Sequence, residues 1–171
     1  MHSDAHSDTD LGTDRGMDLD KARTRFAELR GRKTTVPAAE LDEIWDALPT
    51  VCVEEILGTW QGSGFDTGHP VHRRLSASGW YGKTFLAADD AKPLIMRGED
   101  GRLYSDTELG KGEASLWMVE FRGEVTATMV YDGQPVLDHF KAVDDRTLMG
   151  VMNGKGFGES GPFYYFVLER A

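Results

Sequence analysis

The chain has 171 residues, 40% of them hydrophobic, with 19 Lys and Arg against 29 Asp and Glu, a net charge of −10. That length suits one domain with an appendage. The acidic balance, without a cluster of Lys and Arg, argues against nucleic acid, whose phosphates need such a cluster.

Half of the excess negative charge lies in the first twenty residues, where Asp4, Asp8, Asp10, Asp14, Asp18 and Asp20 face a single Arg15. With Ser, Gly and Thr between them, residues 1–17 read as a disordered acidic tail. Residues 18–171 read as a single β-barrel domain, opened by two helices over 18–48. In Asp18 to Arg30, Leu19, Ala22, Phe26 and Leu29 recur at helical spacing, and Gly31 stops the run. In Val36 to Leu48, Leu41, Ile44, Trp45 and Leu48 form one stripe, with Thr35 as the expected cap, Pro37 in the first turn and Pro49 as the stop. Cys52 is the only cysteine. It excludes an intrachain disulfide and a cysteine-built zinc site, and it fits a reducing, cytoplasmic setting. No window approaches the ~18 apolar residues of a membrane span.

From Ile56 the texture changes to short strands between turn signals. Leu57 to Phe65 reads as a strand ending in a Gly-rich bend, and Pro70 to Ser78 as a short helix. Trp80 to Leu86, Lys92 to Arg97 and Arg102 to Ser105 are further strands. A clearer run follows over Ala114–Arg122, Glu124–Tyr131, Pro135–Val143, Arg146–Met152 and Pro162–Arg170. The short turns Asp132-Gly133-Gln134 and Asp144-Asp145 make neighbours antiparallel, a β-meander. Eight or nine strands must manage their edges, and closure into a barrel does so. Val136 to Val143 has no cleanly apolar face: Asp138 and Phe140 alternate with His139 and Lys141. Phe163 to Leu168 is apolar on both faces. Such strands suit a barrel with a partly polar interior and an outer face covered in places by helices.

Gly58-Thr59-Trp60-Gln61-Gly62 resembles the Gly-x-Trp-x-Gly signature of the GXWXG family of bacterial domains of unknown function. The likeness continues through His69-Pro70, Trp80 to Phe85, Tyr131 to Pro135, Asp138 to Lys141, Asp144 to Gly150 and Phe163 to Arg170. It implies two adjacent modules, a Gly-x-Trp half over 56–105 and a C-terminal meander half over 112–170, expected to close into one domain. The first strand also resembles that of calycins: lipocalins, fatty-acid-binding proteins and nitrobindin-like haem proteins. In those families the Trp packs across the barrel floor, which implies a mainly β, calycin-like antiparallel barrel with Trp60 on its floor.

The residues that could carry chemistry are few. On a strand, Asp138 points away from His139 and cannot orient it as in a triad. His139 and Lys141, if inward, make a cationic patch for a carboxylate or phosphate head group. Lys83 lies between aromatics, where it can sit over a ring. His69 falls after the Gly-rich bend, where a barrel mouth would be. No Gly-x-Ser-x-Gly, HExxH or phosphate loop is present, so no catalytic residue, metal or cofactor is assigned. The expected function is a lipid-binding module for a small hydrophobic or amphipathic molecule such as a fatty acid or phospholipid. Trp60, His69, Trp80, Lys83, Asp138, His139 and Lys141 are the candidate contacts, and Phe65, Trp117, Met129, Met149 and Phe166 are further candidate lining. The expected partner is that small molecule, with no nucleic acid, no integral membrane association, and a homodimer compatible with the sequence. The alternatives are a small-barrel isomerase or hydrolase using His139, and haem binding through His69 or His139.

Overall fold

The computed structural model describes residues 16–155 and 163–171. The acidic tail up to Arg15, with its His-Ser-Asp repeat, lies outside the described residues, as does most of the Gly-rich run after Gly154.

Two helices come first. Helix α1 (Leu19–Arg30) is capped by Asp18, whose side chain accepts from Lys21 N at 2.9 Å, and it stops at Gly31. Helix α2 (Ala38–Ala47) begins one residue after Pro37, which itself occupies the capping position, so Thr35 is not the cap. A proline there fixes φ and loses no helical hydrogen bond. A third, four-residue helix, α3 (Val53–Ile56), was not evident from periodicity because one turn shows none.

The strands are β1 (Gly58–Gly64), β2 (Trp80–Ala87), β3 (Asp90–Arg97), β4 (Leu103–Ser105), β5 (Ala114–Phe121), β6 (Glu124–Tyr131), β7 (Val136–Ala142), β8 (Thr147–Gly154) and β9 (Tyr164–Arg170). Helix α4 (Pro70–Ser78) joins β1 to β2, and the single turn α5 (Thr107–Gly110) joins β4 to β5. The order β2-β1-β9-β8-β7-β6-β5-β3, with β2 also pairing β3, closes an eight-stranded antiparallel barrel, and β4 hangs on the outside edge of β3.

Alternation along the strands sorts side chains into two cores. The interior core contains Trp60, Phe85, Ala127, Met129, Phe140, Leu148, Phe166 and Leu168. Val51, Val53 and Ile56 belong to it too, so the segment carrying α3 stops one end of the barrel. The second core lies outside the wall. Phe26 and Leu29 of α1 and Leu41, Ile44 and Trp45 of α2 pack on Met149, Val151, Tyr165 and Val167. Strand β9 is apolar on both faces because it separates two cores: Tyr164, Phe166 and Leu168 point in, Tyr165 and Val167 out.

Candidate functional site

The Gly-x-Trp-x-Gly strand is readable as geometry. Trp60, 1% exposed, lies on the α3 end and donates from Nε1 to the Ile56 carbonyl at 2.8 Å. The Arg170 guanidinium stands 4.3 Å over its ring and donates to the Leu57 and Glu55 carbonyls. A Cβ at Gly58, whose φ is +129°, would meet that guanidinium at 2.8 Å, and one at Gly62 would fall 2.2 Å from the Trp80 indole. The two glycines therefore make room for two side chains, one at each side of Trp60.

Trp80 and Lys83 both enter the interior, although a regular strand would send them to opposite faces. The pairing of β2 with β3 slips between Trp80 and Gly82 and again between Gly82 and Thr84. A Cβ at Gly82 would sit 1.9 Å from the Trp60 carbonyl oxygen, so only glycine lets the two backbones approach there.

Lys83 is 2% exposed, and its ammonium lies 5.2 to 5.6 Å from the ring centres of Trp80, Tyr131 and Phe166. It donates to the Pro93 carbonyl at 3.2 Å and reaches the Tyr131 hydroxyl at 3.5 Å. Its ion partner is Asp138, with Nζ 2.8 Å from Oδ2 and a carboxylate that is 0% exposed. The Tyr131 hydroxyl is a second hydrogen-bonding neighbour of this carboxylate, so both of its polar neighbours, Lys83 and Tyr131, hold it. Burial pushes the Asp138 carboxyl up, with Lys83 pulling it the other way, and burial followed by the Asp138 charge pushes the Tyr131 phenol well up. The Trp80 indole N–H is buried with no hydrogen-bond partner among the described residues.

Above this layer the barrel opens. A cleft of about 520 Å³ runs between α4 and α5, lined mostly by apolar side chains including Val71, Leu75, Leu94, Leu109, Val136 and Met152. Tyr131 is the only one of the three polar interior residues Lys83, Asp138 and Tyr131 that reaches it; Arg74 and Gln134 stand among its polar lining. His69 is nearby but belongs to α4, which it caps by accepting from Val71 N at 3.2 Å, with its ring 5.7 Å from that of Tyr164. Burial lowers its pKa.

The structure does not bring His139 and Lys141 into the barrel. They lie on the outer face of β7, opposite Asp138 and Phe140, yet both are 1% exposed because neighbouring elements cover them. Thr128 Oγ1 donates to the Thr126 carbonyl at 3.2 Å, so at its 2.8 Å contact with His139 the proton belongs to Nδ1. Nε2 then accepts from the Asn153 amide at 3.3 Å, whose orientation is fixed by Gly154 N donating to its oxygen. Phe121 stacks on the ring at 4.0 Å. Burial, with the nearby Arg122 charge, lowers the His139 pKa to about 4. With both ring nitrogens engaged and both faces of the wall packed, this imidazole has neither a path to a substrate nor an open position for iron. Lys141 donates to the Trp45 carbonyl at 3.0 Å and to Glu124. The inward cationic patch is therefore replaced by one balanced ion pair. Of the further lining expected, Met129 and Phe166 face inward, Phe65 and Met149 belong to the outer core, and Trp117 is 60% exposed. Tyr131, the residue that links cleft to ion pair, stands out in the sequence only as part of a strand and turn. Its distance of 48 residues from Lys83 left no local pattern to find it.

Among the described residues no three His, Cys, Asp or Glu side chains converge as for a metal ion, and no helix is long and apolar enough to cross a membrane.

The GXWXG protein family model matches residues 43–101, and the model of a domain of unknown function, DUF4334, matches residues 112–170. A crystal structure of a protein from Thermomonospora curvata is similar over 88% of this chain and 98% of that one, at 39% identity and a TM-score of 0.79. The chain thus carries a GXWXG domain followed by a DUF4334 domain, and the two together complete one barrel. No curated protein matches it.

Proposed function

We propose that the barrel is a binding module for a small, largely apolar molecule held in the cleft at its mouth. One observation carries this reading: an opening of about 520 Å³ lined mainly by aliphatic side chains, with a single aromatic hydroxyl, Tyr131, leading to a buried ion pair. Sites for small ligands have this size and this economy of polar groups. The deeper interior is filled by Trp60, Phe85, Phe140 and Phe166, which leaves the mouth and not the floor as the place for a ligand. A whole phospholipid is therefore a poorer fit than a compact amphipath.

Native mass spectrometry of the purified chain tests it, followed by denaturing extraction of any adduct. An adduct retained by the native chain and lost in Leu75→Trp, which fills the cleft, is the expected outcome. A clean mass in folded protein after incubation with apolar extracts, or an adduct indifferent to Leu75→Trp, would count against it.

A further inference from the structure

Helix α4 walls one side of the cleft with a stripe at helical spacing: Val71, Arg74, Leu75 and Ser78 all line it. Arg73, next to Arg74 in sequence, lines a separate hollow with His69 and His72 instead. Among the described residues lining the cleft, Arg74 is the only charged side chain and none is acidic. The donors of the other polar side chains there are spent. Gln134 gives its amide N–H groups to the Leu109 and Gly110 carbonyls at 3.2 and 2.9 Å, and Ser78 gives its hydroxyl to the Leu75 carbonyl at 2.9 Å. The Tyr131 hydroxyl is engaged with Lys83 and Asp138.

Arg74 differs. Every described arginine outside α4 holds a carboxylate or a backbone carbonyl. Arg74 makes neither an ion pair nor a hydrogen bond with a described residue. In a chain of net charge −10 it stands without an acid, at the rim of an apolar cleft. A guanidinium presents its N–H groups as a planar fork that matches a carboxylate with two parallel hydrogen bonds. We propose that Arg74 receives the polar end of the ligand and that this end is a carboxylate, with the apolar chain lying along Val71, Leu75 and Val136. This rests on the cleft reading above and narrows it to a compact carboxylic acid of otherwise apolar character. The head-group role expected of His139 and Lys141 passes to a residue on α4. A phosphate monoester would fit the fork as well, but it brings about two charges to a single guanidinium.

Calorimetric titration of the full chain with decanoate, decanol and decyl phosphate tests the inference, since the three share a chain length and differ at the polar end. Decanoate should bind about five-fold or more tightly than decanol, and high salt should shrink that advantage. Arg74→Gln should bring decanoate down to the level of decanol and leave decanol unchanged, a split that general loss of structure would not produce. Arg73→Gln, which changes an equally unpaired arginine outside the cleft, should alter neither. Decanol binding as tightly as decanoate, decyl phosphate binding more tightly than decanoate, or equal losses of decanoate in the two variants would overturn the carboxylate at Arg74 while leaving the cleft in place. Binding of none overturns it as well, and the Leu75→Trp adduct experiment then decides whether the cleft reading falls too.

Discussion

Lys83 and Lys141 are both sealed from solvent, at 2% and 1% exposure, on opposite sides of the same barrel wall. Lys141 faces Glu124, whose side chain is 47% exposed, and also holds a backbone carbonyl of α2. Lys83 faces Asp138, whose side chain is 0% exposed. The outer pair links two neighbouring strands, β6 and β7, while Lys141 also ties α2 to the sheet, and one partner of the pair is half in water to absorb any change. The inner pair has no such reserve, because both of its members are sealed from water. A buried charge pair is poor evidence for stability, because desolvation can exceed attraction. The inner pair lies beneath an apolar cleft, whereas beside the outer one the polar atoms of His139, Thr128 and Asn153 satisfy each other.

The contrast predicts a graded set of effects. Lys83→Met strands a fully buried carboxylate and should lower the unfolding free energy by about 3–5 kcal/mol in urea titrations, with Lys83→Met/Asp138→Leu recovering most of it. Next comes acid. His139 has a folded pKa of about 4, below its ordinary value. The stability it contributes is present above about pH 6.5 and is lost as pH falls toward 4, up to about 3 kcal/mol. Asp138 runs the other way: its raised folded pKa means a contribution lost as pH climbs through that value. Denaturant midpoints between pH 4 and 7 should show the loss in the native chain, and His139→Gln should flatten it; an unchanged slope would mean the outer network does not hold the imidazole neutral. Gly62→Ala, whose Cβ would fall within the Trp80 ring, should cost about 1–3 kcal/mol and displace the indole, visible in the melting temperature and near-UV dichroism. Lys141→Met should cost least, about 1 kcal/mol, because Glu124 can return to water. A Lys141→Met loss matching that of Lys83→Met would erase the distinction between the two faces.

Much of the scaffold was written in local pattern. Helix α4 runs over Pro70–Ser78 as its sequence indicates, and the strands from Ala114 onward keep their boundaries within one or two residues. The mixed faces of β7 correctly announced a wall with two covered sides. What local pattern could not carry was which side each face met. His139 and Lys141 look like solvent-facing or cavity-facing residues, and they are neither: Phe121, Thr128 and Asn153 of other strands enclose His139, and Trp45 of α2 lies over Lys141. The slip at Gly82 that turns Trp80 and Lys83 to the same side depends on how closely β1 approaches β2, which no spacing within β2 records. The meeting of Lys83, Tyr131 and Asp138 is a product of closure, and so is the cleft above them.

The ring of strands has two places where the Gly-x-Trp half meets the meander half. At one, β1 and β9 are matched over five residue pairs, Trp60 with Arg170 through Gly64 with Phe166. At the other, β3 and β5 share a single pair, Ala91 with Ala114. The first joins residues about a hundred positions apart, so nascent chain emerging in order offers β1 no partner on that side until the final strand is made. Arg170, at the end of β9, then acts as a clasp: it covers Trp60 and holds the carbonyls of Leu57 and Glu55. Either half made alone would display a bare strand edge suited to pairing with another copy. The two modules thus form an interdependent pair, in which β9 closes onto β1 across the whole length of the barrel-forming sequence.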